Sequence, residues 1–128
     1  MQLKTHLKID TSLSGKVVSL SETRSTVELQ TNEIMVADDS GLVHGGFIFS
    51  AADFAAMAVV NEPNVVLAKS SVKFIAPVKL GQTVVFEAQI VENSNNRQKV
   101  EVTAMVGDVK VFSGEFFTAV LPKHVLEK

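Results

Sequence analysis

Cysteine is missing from all 128 residues of the chain, and that absence removes disulfide scaffolds, thiolate metal sites and cysteine nucleophiles together. Tryptophan and tyrosine are missing too, so no phenol can serve as a proton donor and no aromatic belt can sit at a membrane surface. Proline is scarce at 3 residues and glycine stands at only 7, too few for a disordered, low-complexity chain. A strong charge of either sign is also lacking. The 12 basic and 14 acidic residues leave a net of −2, without the basic surplus that a nucleic-acid footprint needs. The longest nearly apolar run, Gly45 to Val60, is shorter than a membrane span and carries Asp53 in its middle. Met1 to His6 show no apolar leader, which leads to the expectation of a cytoplasmic location. What remains is 46% hydrophobic, enough to build one well-filled domain. Neither nucleic-acid binding nor membrane insertion is expected.

Residues 1–14 mix charged and apolar positions without a period and read as an N-terminal arm, followed by a single domain over 15–128. Lys16 to Leu20 and Thr26 to Thr31 read as a hairpin, with Val27 and Leu29 alternating against Glu28 and Gln30. Residues 32–43 read as a polar connection. From Gly45 to Asn61 the alanines and long apolar residues favour a helix, which Asn61-Glu62-Pro63 should stop. That helix is apolar all round, so protein must enclose it. Further strands follow: Val66 to Val78, Thr83 to Val91, Gln98 to Val106, a Gly107-Asp108 turn, then Val109 to Leu121. Val84, Phe86, Ala88 and Ile90 share one face, as do Val100, Val102, Ala104 and Val106. The order predicts an α+β domain whose sheet covers one buried helix.

Asp53 is the informative residue. A carboxylate inside an apolar helix costs several kcal/mol unless it is paired or hydrated. It either reaches a backbone amide and is structural, or acts as a base or nucleophile in a pocket that raises its pKa. Gly45 and Gly46 open the helix. They allow a tight turn into crowded surroundings, and their N–H groups are suited to hold developing negative charge. His44 precedes them as a backbone cap or a proton shuttle. The other histidines, His6 and His124, stand near the termini without a motif, and no metal site is expected.

His44-Gly45-Gly46, then Ala52-Asp53, then Phe74-Ile75-Ala76-Pro77-Val78-Lys79-Leu80-Gly81, resemble the hotdog-fold acyl-CoA thioesterases of the phenylacetate-degradation type. The stretch is also similar to the acyl-CoA-sensing domain of a fatty-acid biosynthesis repressor. The likeness runs from about Lys16 to Leu121. It implies an antiparallel sheet wrapped around one long helix, and two subunits set side by side as a homodimer or a dimer of dimers. It implies that Asp53 attacks the thioester carbonyl or activates water for the attack. It also places an Asn six residues before the motif histidine, where this chain has Asp38; a second acid there would share a proton with Asp53 or weaken the ionisation of both. The family's Ser or Thr early in the next strand is not evident in Val65-Val66-Leu67-Ala68.

Spacing sharpens the dimer. Gly45 and Asp53 are eight residues apart, about 12 Å along a helix, whereas both groups must come within about 3 Å of one carbonyl. The two must act from different subunits. For coenzyme A phosphates, Lys69 and Lys73 share a strand face with Ser71, and Lys79 follows. Phe47, Phe49, Phe54 and Met57 belong to the core, with Phe47 the one put forward to line the acyl tunnel. The expected activity is acyl-CoA hydrolysis, with no cofactor beyond the coenzyme A thioester itself. The alternative is an acyl-CoA sensor without catalysis, although nothing before Lys16 is expected to read DNA. A hotdog dehydratase would need a differently spaced His-acid motif that the chain lacks.

Overall fold

The structure, a computed structural model, describes residues 1–127. A one-turn helix α1 (Thr11–Ser14) precedes strands β1 (Lys16–Leu20) and β2 (Arg24–Gln30). The long helix α2 (Gly45–Val60) follows, then β3 (Val65–Phe74), β4 (Thr83–Ser94), β5 (Arg97–Val106) and β6 (Val109–Val120). The six strands form one antiparallel sheet in the order β1-β2-β4-β5-β6-β3. Alternation drives it. Val84, Phe86 and Ala88 of β4 and Val100, Val102 and Ala104 of β5 are buried under the helix, while their neighbours face outward. This is the α+β arrangement that the sequence pattern predicts.

The helix is stopped as expected, but Asn61 does more than end it. It adopts a left-handed conformation (φ 53°) and its N–H closes on Met57 O at 2.9 Å. Its side-chain Oδ1 accepts from Lys4 N–H at 2.7 Å, and its Nδ2 donates to Gln2 O at 2.9 Å. One side chain thus caps the helix and clips the N-terminal arm to it. Leu3 and Ile9 of the arm pack against the core.

Two expectations need correcting. The connection over 32–43 is not simply polar loop: Glu33–Met35 forms a 3-10 turn, Met35 is fully buried, and His44 N–H donates to Met35 O at 2.8 Å. That turn fixes where α2 begins. The strand expected to run to Val78 leaves the sheet after Phe74, because Pro77 has no N–H to offer a ladder. Ile75 to Val78 instead pass the start of α2, where Val43 N–H donates to Val78 O at 2.9 Å.

The enclosure of α2 is incomplete. Ile48, Ala51, Ala52 and Phe54 through Val59 are buried, whereas Phe49, Ser50 and Asp53 keep partial exposure and Gly46 is exposed. These four lie along one helical stripe. Among the described residues no helix is long and apolar enough to cross a membrane.

Strand β3 carries a bulge. Its pairing with β6 shifts between Leu67 and Lys69, so Leu67 faces Thr118 and Lys69 faces Phe117. The extra residue, Ala68, changes the phase of the strand. Ser70, Val72 and Phe74 fall opposite Phe116, Gly114 and Phe112, and therefore on the helix side of the sheet. Lys69, Ser71 and Lys73 take the outer side.

Candidate active site

Asp53 is held in the middle of α2 with Oδ1 buried and, among the described residues, without a hydrogen-bond partner. Burial pushes its carboxyl up to about 6 from 3.8, because the charged form loses hydration that no donor replaces. A carboxyl in that range is poised to exchange a proton near neutral pH. One turn before it on the same stripe, Ser50 shares a hydrogen bond with Ser14 of α1, Oγ to Oγ at 2.8 Å. Asp53 is therefore not a satisfied structural acid.

At the other end of the exposed stripe, Gly45 and Gly46 occupy the first two positions of α2. Helix geometry gives their N–H groups no carbonyl one turn behind, and among the described residues neither N–H finds an acceptor. The macrodipole adds positive potential there. His44 does not cap them: its side chain makes no hydrogen bond to the helix. Its ring lies over Gly46, where a Cβ would stand 2.9 Å from Nε2, and meets Phe47 edge-on at 6.1 Å. Gly45 is tight against Phe74, whose Cε1 would lie 3.2 Å from a Cβ. A side chain at either place would have to displace the His44 or Phe74 ring, and neither glycine has an unusual φ.

Beside Gly45 lies an apolar cavity of about 310 Å³, lined by Leu42, Ile48, Phe74, Ala76, Val78 and Val111 among others. Sequence reasoning did not single out these residues. The signal was present in Phe74-Ile75-Ala76-Pro77-Val78, where an apolar run meets a proline that must leave the sheet. Ser70 turns toward the helix side of the sheet. It stands two residues beyond the stretch searched for a hydroxyl, and the bulge sets this orientation.

The remaining candidates scatter. Asp38 is an exposed loop residue whose Oδ1 accepts from Ser40 N–H at 3.0 Å and Leu42 N–H at 3.1 Å. Burial accounts for the shift of Asp53, with no part from Asp38. Lys69 lies on the outer sheet face with Nζ 5.3 Å from the Phe117 ring centroid, and Lys73 shares that face beside Glu101 and Glu115. Of the three lysines only Lys79 adjoins the cavity by Gly45, as the residue after Val78. Phe47 is half-buried under His44 rather than in that cavity. Among the described residues no cluster of three metal-ligating side chains exists. Within one chain, Asp53 and the Gly45 amide stay a helix length of eight residues apart.

The sequence model of a known family matches residues 40–113, from the loop before α2 into β6. The chain belongs to the thioesterase superfamily. The chain is 53% identical over 121 residues to a methylthioribose-1-phosphate isomerase of Aquifex aeolicus, covering 94% of this chain but 26% of that protein. It is 36% identical over 110 residues to the transcription factor FapR of Bacillus cytotoxicus, covering 84% of this chain and 52% of that one. The chain thus spans from a quarter to about half the length of these relatives. Among solved structures, the uncharacterized protein PH1136 from Pyrococcus horikoshii superposes with a TM-score of 0.98 at 43% identity, covering 99% of this chain and 98% of that one. The Streptococcus mutans protein smu.793 bound to acetyl CoA shares the hotdog fold, with a TM-score of 0.80 at 23% identity over 94% and 99% of the two chains.

Proposed function

We propose that this thioesterase-superfamily chain hydrolyses acyl-CoA thioesters as a homodimer. The observation that carries the reading is the buried, unpartnered Oδ1 of Asp53 on an otherwise apolar stretch of helix. Such a group costs stability, and a base that must meet water and a carbonyl is the use that offsets the cost. Asp53 removes a proton from water as the oxygen bonds to the thioester carbon. The carbonyl oxygen becomes an oxyanion held by the Gly45 and Gly46 amides of the other subunit. The intermediate then expels the coenzyme A sulfur, which takes the proton back from Asp53, leaving free acid and thiol. The acetyl CoA bound to a protein of the same fold is consistent with this choice of ligand.

The test is thiol release from a panel of acyl-CoA thioesters. Replacing Asp53 by Asn should lower kcat/KM by a factor of about 100 or more, roughly 3 kcal/mol of barrier, with the fold retained. Unchanged turnover in a folded variant would remove Asp53 from the chemistry. A second reading, an acyl-CoA sensor without hydrolysis, draws on the similarity to a transcription factor. Binding of acyl-CoA without any thiol release would favour it.

A further inference from the structure

The apolar cavity beside Gly45 has a composition that sorts the parts of a thioester. Its walls carry Gly45, Ile48, Phe74, Ala76, Val78 and Val111 and no charged side chain. Several backbone donors nearby are spent: Val43 N–H is bonded to Val78 O, and Ile75 and Ala76 N–H both donate to Val111 O, at 2.8 and 3.3 Å. Pro77 has none. Among the described residues the N–H groups of Gly45 and Val78 are left without an acceptor, and that of Gly45 belongs to the start of α2 where this cavity meets it. A ligand placed there would have one polar atom at the Gly45 amide and hydrocarbon beyond it.

We infer that this cavity is the acyl slot of the site, that it takes uncharged hydrocarbon acyl groups, and that Phe74 sets their length. The inference rests on the acyl-CoA reading above and names the substrate class within it. A thioester carbonyl at the Gly45 amide has two arms. The pantetheine arm carries two amides, which would lose their water against walls with nothing to replace it. The acyl arm has no such need. A terminal carboxylate on the acyl group would fare worst of all, being charged and unpaired.

Size narrows the class further. About 310 Å³ corresponds to about ten water volumes at ~30 Å³ each, room for a hydrocarbon chain of medium length. Phe74 is the adjustable wall. It is 56% exposed, packs edge-on to Phe112 with ring centroids 5.3 Å apart, and closes against Gly45. Ala76 is the opposite case, a small half-buried residue whose enlargement would fill the slot.

The experiment compares kcat/KM for butanoyl-, hexanoyl-, octanoyl-, dodecanoyl- and adipoyl-CoA in the native protein, Phe74→Ala and Ala76→Leu. In parallel, thermal shift is read with S-hexyl-CoA, a thioether that cannot be hydrolysed, against coenzyme A alone. The native protein should prefer hexanoyl and octanoyl and turn over adipoyl at least about 100-fold less well than hexanoyl. Phe74→Ala should move the optimum to longer chains and Ala76→Leu to shorter ones. S-hexyl-CoA should stabilise the native protein more than coenzyme A does, and Ala76→Leu should lose that difference. Hydrolysis with a flat chain-length profile, or adipoyl equal to hexanoyl, overturns the slot while the hydrolase reading stands. No hydrolysis with the S-hexyl preference intact overturns the hydrolase reading and keeps the slot. Neither hydrolysis nor preference overturns both. If Phe74→Ala fails to fold, Ala76→Leu decides alone.

Discussion

Asp53 carries a stability penalty that can be read independently of any substrate. Its carboxyl titrates near 6 in the fold against an ordinary 3.8, so the native state holds the proton more tightly than the unfolded chain. The contribution of this group is therefore best below about pH 4, declines as the pH rises between the two values, and is fully lost above about 6. A shift of that size amounts to about 2–3 kcal/mol, reduced where the second oxygen reaches water. Asn cannot ionise. Asp53→Asn should therefore be more stable than the native protein by about 1–2 kcal/mol at pH 8, with the gain gone at pH 4. Urea unfolding at the two pH values, at one protein concentration, checks this. A pH-independent difference would mean that Asp53 finds a donor in the native protein. His6 is pushed the other way, its pKa lowered by burial, and its ring, 6.3 Å from that of Phe54 between centroids, ties the arm to α2.

At the scale of elements, Asn61 joins two pieces that the sequence read as separate, the end of α2 and the arm. Asn61→Gly keeps the left-handed cap at little backbone cost but removes both arm hydrogen bonds, worth about 1–2 kcal/mol together. Amide exchange over residues 2–9 should accelerate while α2 stays protected. Equal protection in both proteins would show that packing of Leu3 and Ile9 suffices. The strands and the helix were legible because each has one strong period, 2 in β4 and β5 and an apolar block in α2. Asp53 stood out in the sequence because a charge inside such a block must be paired, hydrated or put to use. Less was visible where the determinant is tertiary. Met35 is buried by a short turn that no period marks, and the cavity beside Gly45 combines segments more than sixty residues apart, from Leu42 to Val111. The face taken by Lys69, Ser71 and Lys73 was also out of reach, since period 2 groups residues without saying which group faces in.

For the whole molecule, the separation of Asp53 from Gly45 makes assembly part of the chemistry. If each site draws the amide from one subunit and the acid from the other, mixed dimers must show it. Gly45→Leu puts a side chain where Phe74 already stands at 3.2 Å from a Cβ, and the exposed Phe74 ring can swing aside without unfolding the core. Homodimers of Gly45→Leu and of Asp53→Ala should both be inactive. A purified heterodimer of the two should recover about half the native activity per dimer, because one of its sites pairs the native glycine with the native acid. An inactive heterodimer of native-like thermal stability would refute action in trans.

The bulge at Ala68 decides which residues β3 turns inward. With Ala68 left out of the pairing, the helix side receives Ser70, Val72 and Phe74; paired straight through, the same letters would present Lys69 and Lys73 there. Loss of the Ala68 codon would keep Leu67 opposite Thr118 and Ser70 opposite Phe116, so a relative one residue shorter at this point would show the same inner face on an unbroken strand. A single unpaired residue thus keeps charge away from the helix, and a length change that removes it leaves the wall of the cavity as it is.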